Sequence, residues 1–186
     1  MDVIIVRGQY NTGKTIIMRL LYHKLSKYEF VQNLGGNKAV GNDSSYFFKA
    51  TQKIISQGAT KLADSNDFSA RLLINGKKLQ LVSHSVNSDE FKSVLSFLEL
   101  FNPDIVVFCA KEKEIGNTAY SVLQKKLLDV PSENYLEVPV YSIKSDRIES
   151  SKNKIADDLL NLIFRISAGE SLEDIGYHDT EKPFFN

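Results

Sequence analysis

The segment that most restricts what this chain can fold into starts at its third residue. Val3-Ile4-Ile5-Val6 is a β-branched run that reads as a buried strand, and Arg7 carries it straight into Gly8-Gln9-Tyr10-Asn11-Thr12-Gly13-Lys14-Thr15. Immediately afterwards Ile17, Leu20, Leu21 and Leu25 recur at the spacing of one helical face. Strand, glycine-framed loop and amphipathic helix thus follow one another without a gap. Gly8 lets the chain turn sharply off the strand. Gly13, with no Cβ, lets the backbone come close to a ligand and curl into the helix.

Gly, four residues, then Gly-Lys-Thr resembles the phosphate-binding loop (Walker A motif) of the P-loop NTPases. The resemblance is specific to residues 3 to about 27; beyond them it extends to a compatible order of elements. It implies that successive amides of Gln9, Tyr10, Asn11, Thr12, Gly13 and Lys14 form an anion nest at the positive end of the helix. It also implies that Lys14 bridges the β- and γ-phosphates of ATP or GTP, and that Thr15 offers its hydroxyl to Mg²⁺. The competing reading is a glycine-rich turn that binds nothing.

Composition limits the rest. A chain of 186 residues with 42% hydrophobic content suits one α/β domain, expected over 1–168, with a C-terminal tail over 169–186. Its 23 basic residues balance 23 acidic ones, which argues against nucleic-acid binding by bulk electrostatics. The single cysteine excludes an intrachain disulfide and a thiolate cluster, so a reducing compartment is expected. No apolar run approaches membrane-spanning length, and the chain opens on Asp2 and a strand rather than a basic leader; no membrane association and a cytoplasmic location are the expectation.

After the first helix, Tyr28 to Gln32 suggests a short strand. The polar stretch from Asn33 to Ser45 is either a lid or switch over the nucleotide or a plain surface connection. Phe47, Phe48, Ala50, Ile54 and Ile55 mark a helix that Ser44 or Ser45 can cap, followed by a polar connection carrying Asp64 and Asp67. Ala70 to Ile74, Asn75-Gly76, then Lys78 to Val82 is the pattern of a β-hairpin, since Asn-Gly tolerates the positive φ of a type I′ turn. Small GTPases of the P-loop class carry such a hairpin, and its second strand delivers an aspartate beside the γ-phosphate. Here Ser83 and His84 stand where that resemblance implies a metal-orienting carboxylate. His84 either orients an attacking water or serves only to cap the strand.

A helix over Ser88 to Leu100 ends at Asn102-Pro103, and Asp104 to Cys109 reads as a central parallel strand. Cys109 is most simply a small buried residue. The charged run from Ala110 to Glu114 is either phosphate-contacting or solvated. A helix over Gly116 to Leu128, a strand over Glu137 to Ile143 with Pro139 near its start, and a helix marked by Ile155, Leu159, Leu162, Ile163 and Ile166 complete the chain. Tyr141-Ser142-Ile143-Lys144 loosely echoes the base-side segment of the GTPase branch. There is no Asn-Lys-x-Asp, so the base is expected to be adenine or weakly discriminated.

This order implies a three-layer α/β/α, P-loop NTPase-like fold, a mainly parallel sheet with an antiparallel hairpin at an edge. The function it implies is Mg²⁺-dependent binding of a nucleoside triphosphate, with slow hydrolysis or phosphoryl transfer in which Lys14 and His84 act. The alternative is a non-catalytic or GTPase-like switch working through a protein partner or a homodimer.

Overall fold

The structure, a computed structural model, describes residues 1–8, 12–36, 68–83, 100–111, 134–140 and 148–175. These form β1 (Asp2–Gly8), α1 (Lys14–Leu25), β2 (Val31–Gly36), β3 (Phe68–Ile74), β4 (Lys77–Ser83), β5 (Ile105–Lys111), β6 (Tyr135–Val140) and α2 (Ile148–Ser167). The strands make one six-stranded sheet in the order β2-β3-β4-β5-β1-β6. β4, β5, β1 and β6 are parallel, while β3 runs against both of its neighbours. The architecture is therefore mixed α/β with an antiparallel flank.

Alternation along the strands sends Ile4, Val6, Leu79, Leu81, Ile105, Val107, Cys109, Leu136 and Val138 to one face, where they join α1 and α2 in a single buried core. The sequence explains the helices' share. α1 brings Ile17, Leu21 and Leu25, and α2 brings Ile155, Leu159, Leu162, Ile163 and Ile166, each set on one side of its helix. An ion pair from Lys24 to Asp157 at 2.7 Å ties the two helices at their surface. The opposite face of the sheet, with Val3, Ile5, Val106 and Phe108, is buried as well. A continuous apolar run such as β5 is what a strand buried on both faces requires.

The hairpin forms as its turn chemistry demands, with φ of 50° at Asn75 and 81° at Gly76. Its place in the sheet differs from the small-GTPase likeness, because β5 lies between β4 and β1. With neighbouring strands about 4.8 Å apart, Ser83 at the end of β4 stands about 10 Å across the sheet from the end of β1. A group there reaches the loop after β1 only through something that spans the gap.

Several boundaries move. The strand expected at Tyr28 to Gln32 is Val31–Gly36, so Asn33 to Gly36 belong to β2 rather than to the polar loop. A bulge between Asn33 and Gly35 leaves Leu34 without a register partner, while Gly35 and Gly36, which made this stretch look like a turn, pair with Arg71 and Ala70. Pro139 lies near the end of β6, not its start; among the described residues β6 pairs only with β1, and an edge strand tolerates a residue without an N–H. β5 continues two residues past Cys109, taking in Ala110 and Lys111. The chain still packs after α2, with Leu172 buried and Ile175 against the core. The expected helices at 45–57 and 116–128, the helix expected over 88–100 except for Leu100, which is helical, and the remainder of the tail from 176 lie outside the described residues. Among the described residues no helix is long and apolar enough to cross a membrane.

Candidate functional site at the carboxyl edge of the sheet

β1, flanked by β5 and β6, delivers Gly8 to the carboxyl edge, where Gly8 pairs with Lys111 on one side and Val140 on the other. Gly8 does not have the positive φ of a left-handed turn residue. Glycine is needed there for another reason. A Cβ on Gly8 would meet the Val140 carbonyl oxygen and would stand 2.8 Å from Thr12 Oγ1. Close packing against β6 is what calls for a glycine at this position.

Gly13 does adopt the left-handed conformation, at φ 85°, and caps α1 without any side chain. Its carbonyl accepts the Ile17 N–H at 3.1 Å, the first bond of the helix. No acidic residue occupies the first turn of α1, so the partial positive charge of the helix start is not neutralised by its own side chains.

Lys14, only 7% exposed, folds back beneath the loop. Its ammonium donates to the Gly8 carbonyl at 2.8 Å and lies 3.4 Å from Thr12 Oγ1. One cation thus fastens the start of the loop to its far side. Thr15 follows in the first turn of α1 and is partly exposed. The structure brings together Gly8, Thr12, Gly13, Lys14 and Thr15; Gln9, Tyr10 and Asn11 lie outside the described residues.

Ser83 ends β4 on the face covered by α1 and α2, fully buried. Among the described residues its Oγ has no hydrogen-bond partner. A buried hydroxyl without a partner costs about 1–3 kcal/mol, so one retained at this edge of the sheet is a polar group suited to a bound ligand or water. His84, Ser85, Asp64, Asp67, the run from Glu112 to Glu114 and the segment from Lys144 to Arg147 lie outside the described residues.

Among the described residues, carboxylates are scarce where a metal would need them. Glu137 pairs with Arg7 at 2.9 Å on the face away from α1, and Tyr135 also donates to it. Asp104 immediately precedes β5 at the opposite end of the parallel strands, about 20 Å from the carboxyl edge at about 3.3 Å per residue. There its carboxylate accepts the Lys78 N–H at 2.7 Å while its own N–H donates to the Lys78 carbonyl at 2.9 Å. Its work is to join β5 to the hairpin. Among the described residues no group of three or more His, Cys, Asp or Glu could hold a metal ion. Among the described residues, the hydroxyls at this edge include those of Thr12, Thr15 and Ser83, so Mg²⁺ would fit mainly as a companion of a ligand that brings oxygens of its own.

One residue that no motif marks enters the site from α2. The Lys152 side chain crosses to the start of α1 so closely that a Cβ on Gly13 would fall on its Cε and Nζ. Burial pulls its ammonium pKa below the usual lysine value. No family model, curated protein or solved structure matches the chain.

Proposed function

We propose that this chain is a P-loop NTPase-like protein of three-layer α/β/α build that binds Mg²⁺ and a nucleoside triphosphate, ATP or a weakly discriminated base, at Gly8 to Thr15. The observation that carries the reading is the seat of Lys14. An ammonium held at the Gly8 carbonyl, beside a left-handed Gly13 and a helix start free of acidic residues, is a cation placed where helix amides also attract anions. Mg²⁺ bound with the phosphates would add positive charge there. Lys14 would exchange its loop carbonyl for phosphate oxygens, Thr15 would supply a hydroxyl, and the loop amides would orient the polyphosphate. With the single cysteine buried and no disulfide to maintain, we place the protein in the cytoplasm.

The test is calorimetric titration with Mg-ATP, followed by competition with GTP. Saturable binding is expected, with the two nucleotides within about tenfold of each other, because strict base discrimination needs buried polar groups matched to one base edge. A hundredfold preference for GTP would sink the base assignment, and no binding of either would sink the function.

Ser83 in place of a carboxylate at the end of β4 favours low turnover, as in a nucleotide-dependent switch. Unassisted P-loop switches hydrolyse at about 10⁻⁴ to 10⁻² per second, and the same range is expected here in single-turnover assays. His84→Ala is expected to slow it further. A partner-free rate above about one per second would refute the weak-site reading, since that is the range of a complete enzyme. A slow rate unchanged in His84→Ala would reduce the histidine to a structural role.

A further inference from the structure

Lys152 has a setting unlike that of the other lysine joining α1 and α2. Lys24 ends on a carboxylate, Asp157, at 2.7 Å. Lys152 ends on the Cα side of Gly13, and among the described residues no carboxylate, hydroxyl or carbonyl receives its ammonium. Its pKa is lowered by loss of water alone, with no opposing contribution from a nearby acid. Partly shielding a cation from water without giving it an anion is unfavourable, and an anionic ligand at Gly13 would offset that cost.

We propose that Lys152 is a second phosphate-binding residue, clasping from the α2 side the polyphosphate that Lys14 holds from the β1 side. The inference rests on the phosphate-loop reading and deepens it. The Lys14 ammonium, at the Gly8 carbonyl, and the Lys152 ammonium, at Gly13, both stand by the start of α1, and the first turn of that helix offers no acid to balance them. A ligand with one negative charge leaves part of that positive potential unmet. A di- or triphosphate meets all of it, and it joins α2 to the loop without any covalent step. Occupancy would then stiffen the contact between the helices as well as fill the site.

The experiment compares wild type with Lys152→Met, which keeps the length and removes the charge, and with Lys152→Arg, which keeps the charge. Each is titrated with Mg-ATP and with inorganic tripolyphosphate, and each is melted with and without ligand. Lys152→Met is expected to weaken both ligands by about tenfold or more, the value of one charge-assisted contact. Lys152→Arg is expected to recover part of that loss. The ligand-free Lys152→Met protein is expected to melt at or above the wild-type temperature, because a desolvated charge has been replaced by an apolar chain. Unchanged affinity for both ligands in Lys152→Met, while Lys14→Ala abolishes binding, overturns this proposal and leaves the phosphate loop standing. Loss of ATP but not of tripolyphosphate overturns the phosphate contact in favour of one to the base or ribose. If wild type itself binds neither ligand, the phosphate-loop reading falls and takes Lys152 with it.

Discussion

Lys14→Ala is expected to weaken Mg-ATP binding by about a hundredfold or more. A lysine set against two phosphates makes charge-assisted contacts of about 1.5–3 kcal/mol each, and about 1.4 kcal/mol is tenfold in affinity. Against this stands the cost of leaving its present partners, the Gly8 carbonyl at 2.8 Å and Thr12 Oγ1 at 3.4 Å, which also keep company with the ammonium in the free protein. That exchange of a neutral acceptor for an anion is why the balance favours the ligand. The variant is expected to fold, because Lys14 is not part of the apolar core cluster; a thermal melt beside the titration checks this. Equal affinity of wild type and variant for ATP and GTP would remove the basis of the proposed function.

Gly8→Ala is expected to destabilise the fold by about 2–3 kcal/mol and to lower the melting temperature by roughly 5–10 °C. The added methyl meets the Val140 carbonyl, which belongs to the backbone of β6 and cannot rotate away as a side chain would. Overpacking of this kind costs about 1–3 kcal/mol, and each kcal/mol shifts the melting point of a chain this size by about 2–4 °C. Gly76→Ala is the control. A Cβ there meets nothing within 4 Å, so only the positive φ of 81° is penalised, at about 1 kcal/mol. A Gly8→Ala protein melting within a degree of wild type would show that the close approach to β6 is easily relieved.

Elements whose signals are local could be read from the chain itself. β1 and α1 carry unbroken β-branched and helical patterns, the Asn75-Gly76 turn has backbone demands that few other pairs meet, and α2 shows its apolar side at regular spacing. What depended on distant pairing could not be read this way. The insertion of β5 between β4 and β1 is decided by which strands hydrogen-bond, and no residue of the hairpin announces it. β2 was obscured because Asn33, Gly35 and Gly36 have turn chemistry, which the sheet turns into a bulge.

The site shows the same division. Gly8, Gly13, Lys14 and Thr15 are visible as a spacing, although the reason for Gly8 lies in Val140 of β6 and not in its own conformation. Lys152 sits in the run Ser150-Ser151-Lys152-Asn153-Lys154, which as sequence looks like any solvated helix start. Only the packing of α2 on α1 brings it to the loop. Ser83 was singled out because it stands where an acid was expected, and its burial without a partner among the described residues gives that position a second interest.

The pairing of β1 bears on how the chain assembles. Val3 hydrogen-bonds into a ladder with Val106 on one side and Tyr135 on the other, so β1 waits for partners that lie far later in the chain. Contacts between residues so far apart pay a large loop-closure entropy before they return any stability, and folds built on them form slowly. The wall behind Gly8 is completed only when Val140 is in place. The seat of Lys14 beside Gly8 is therefore among the last features to take shape, and a ligand held there would select chains in which the sheet has already closed around β1.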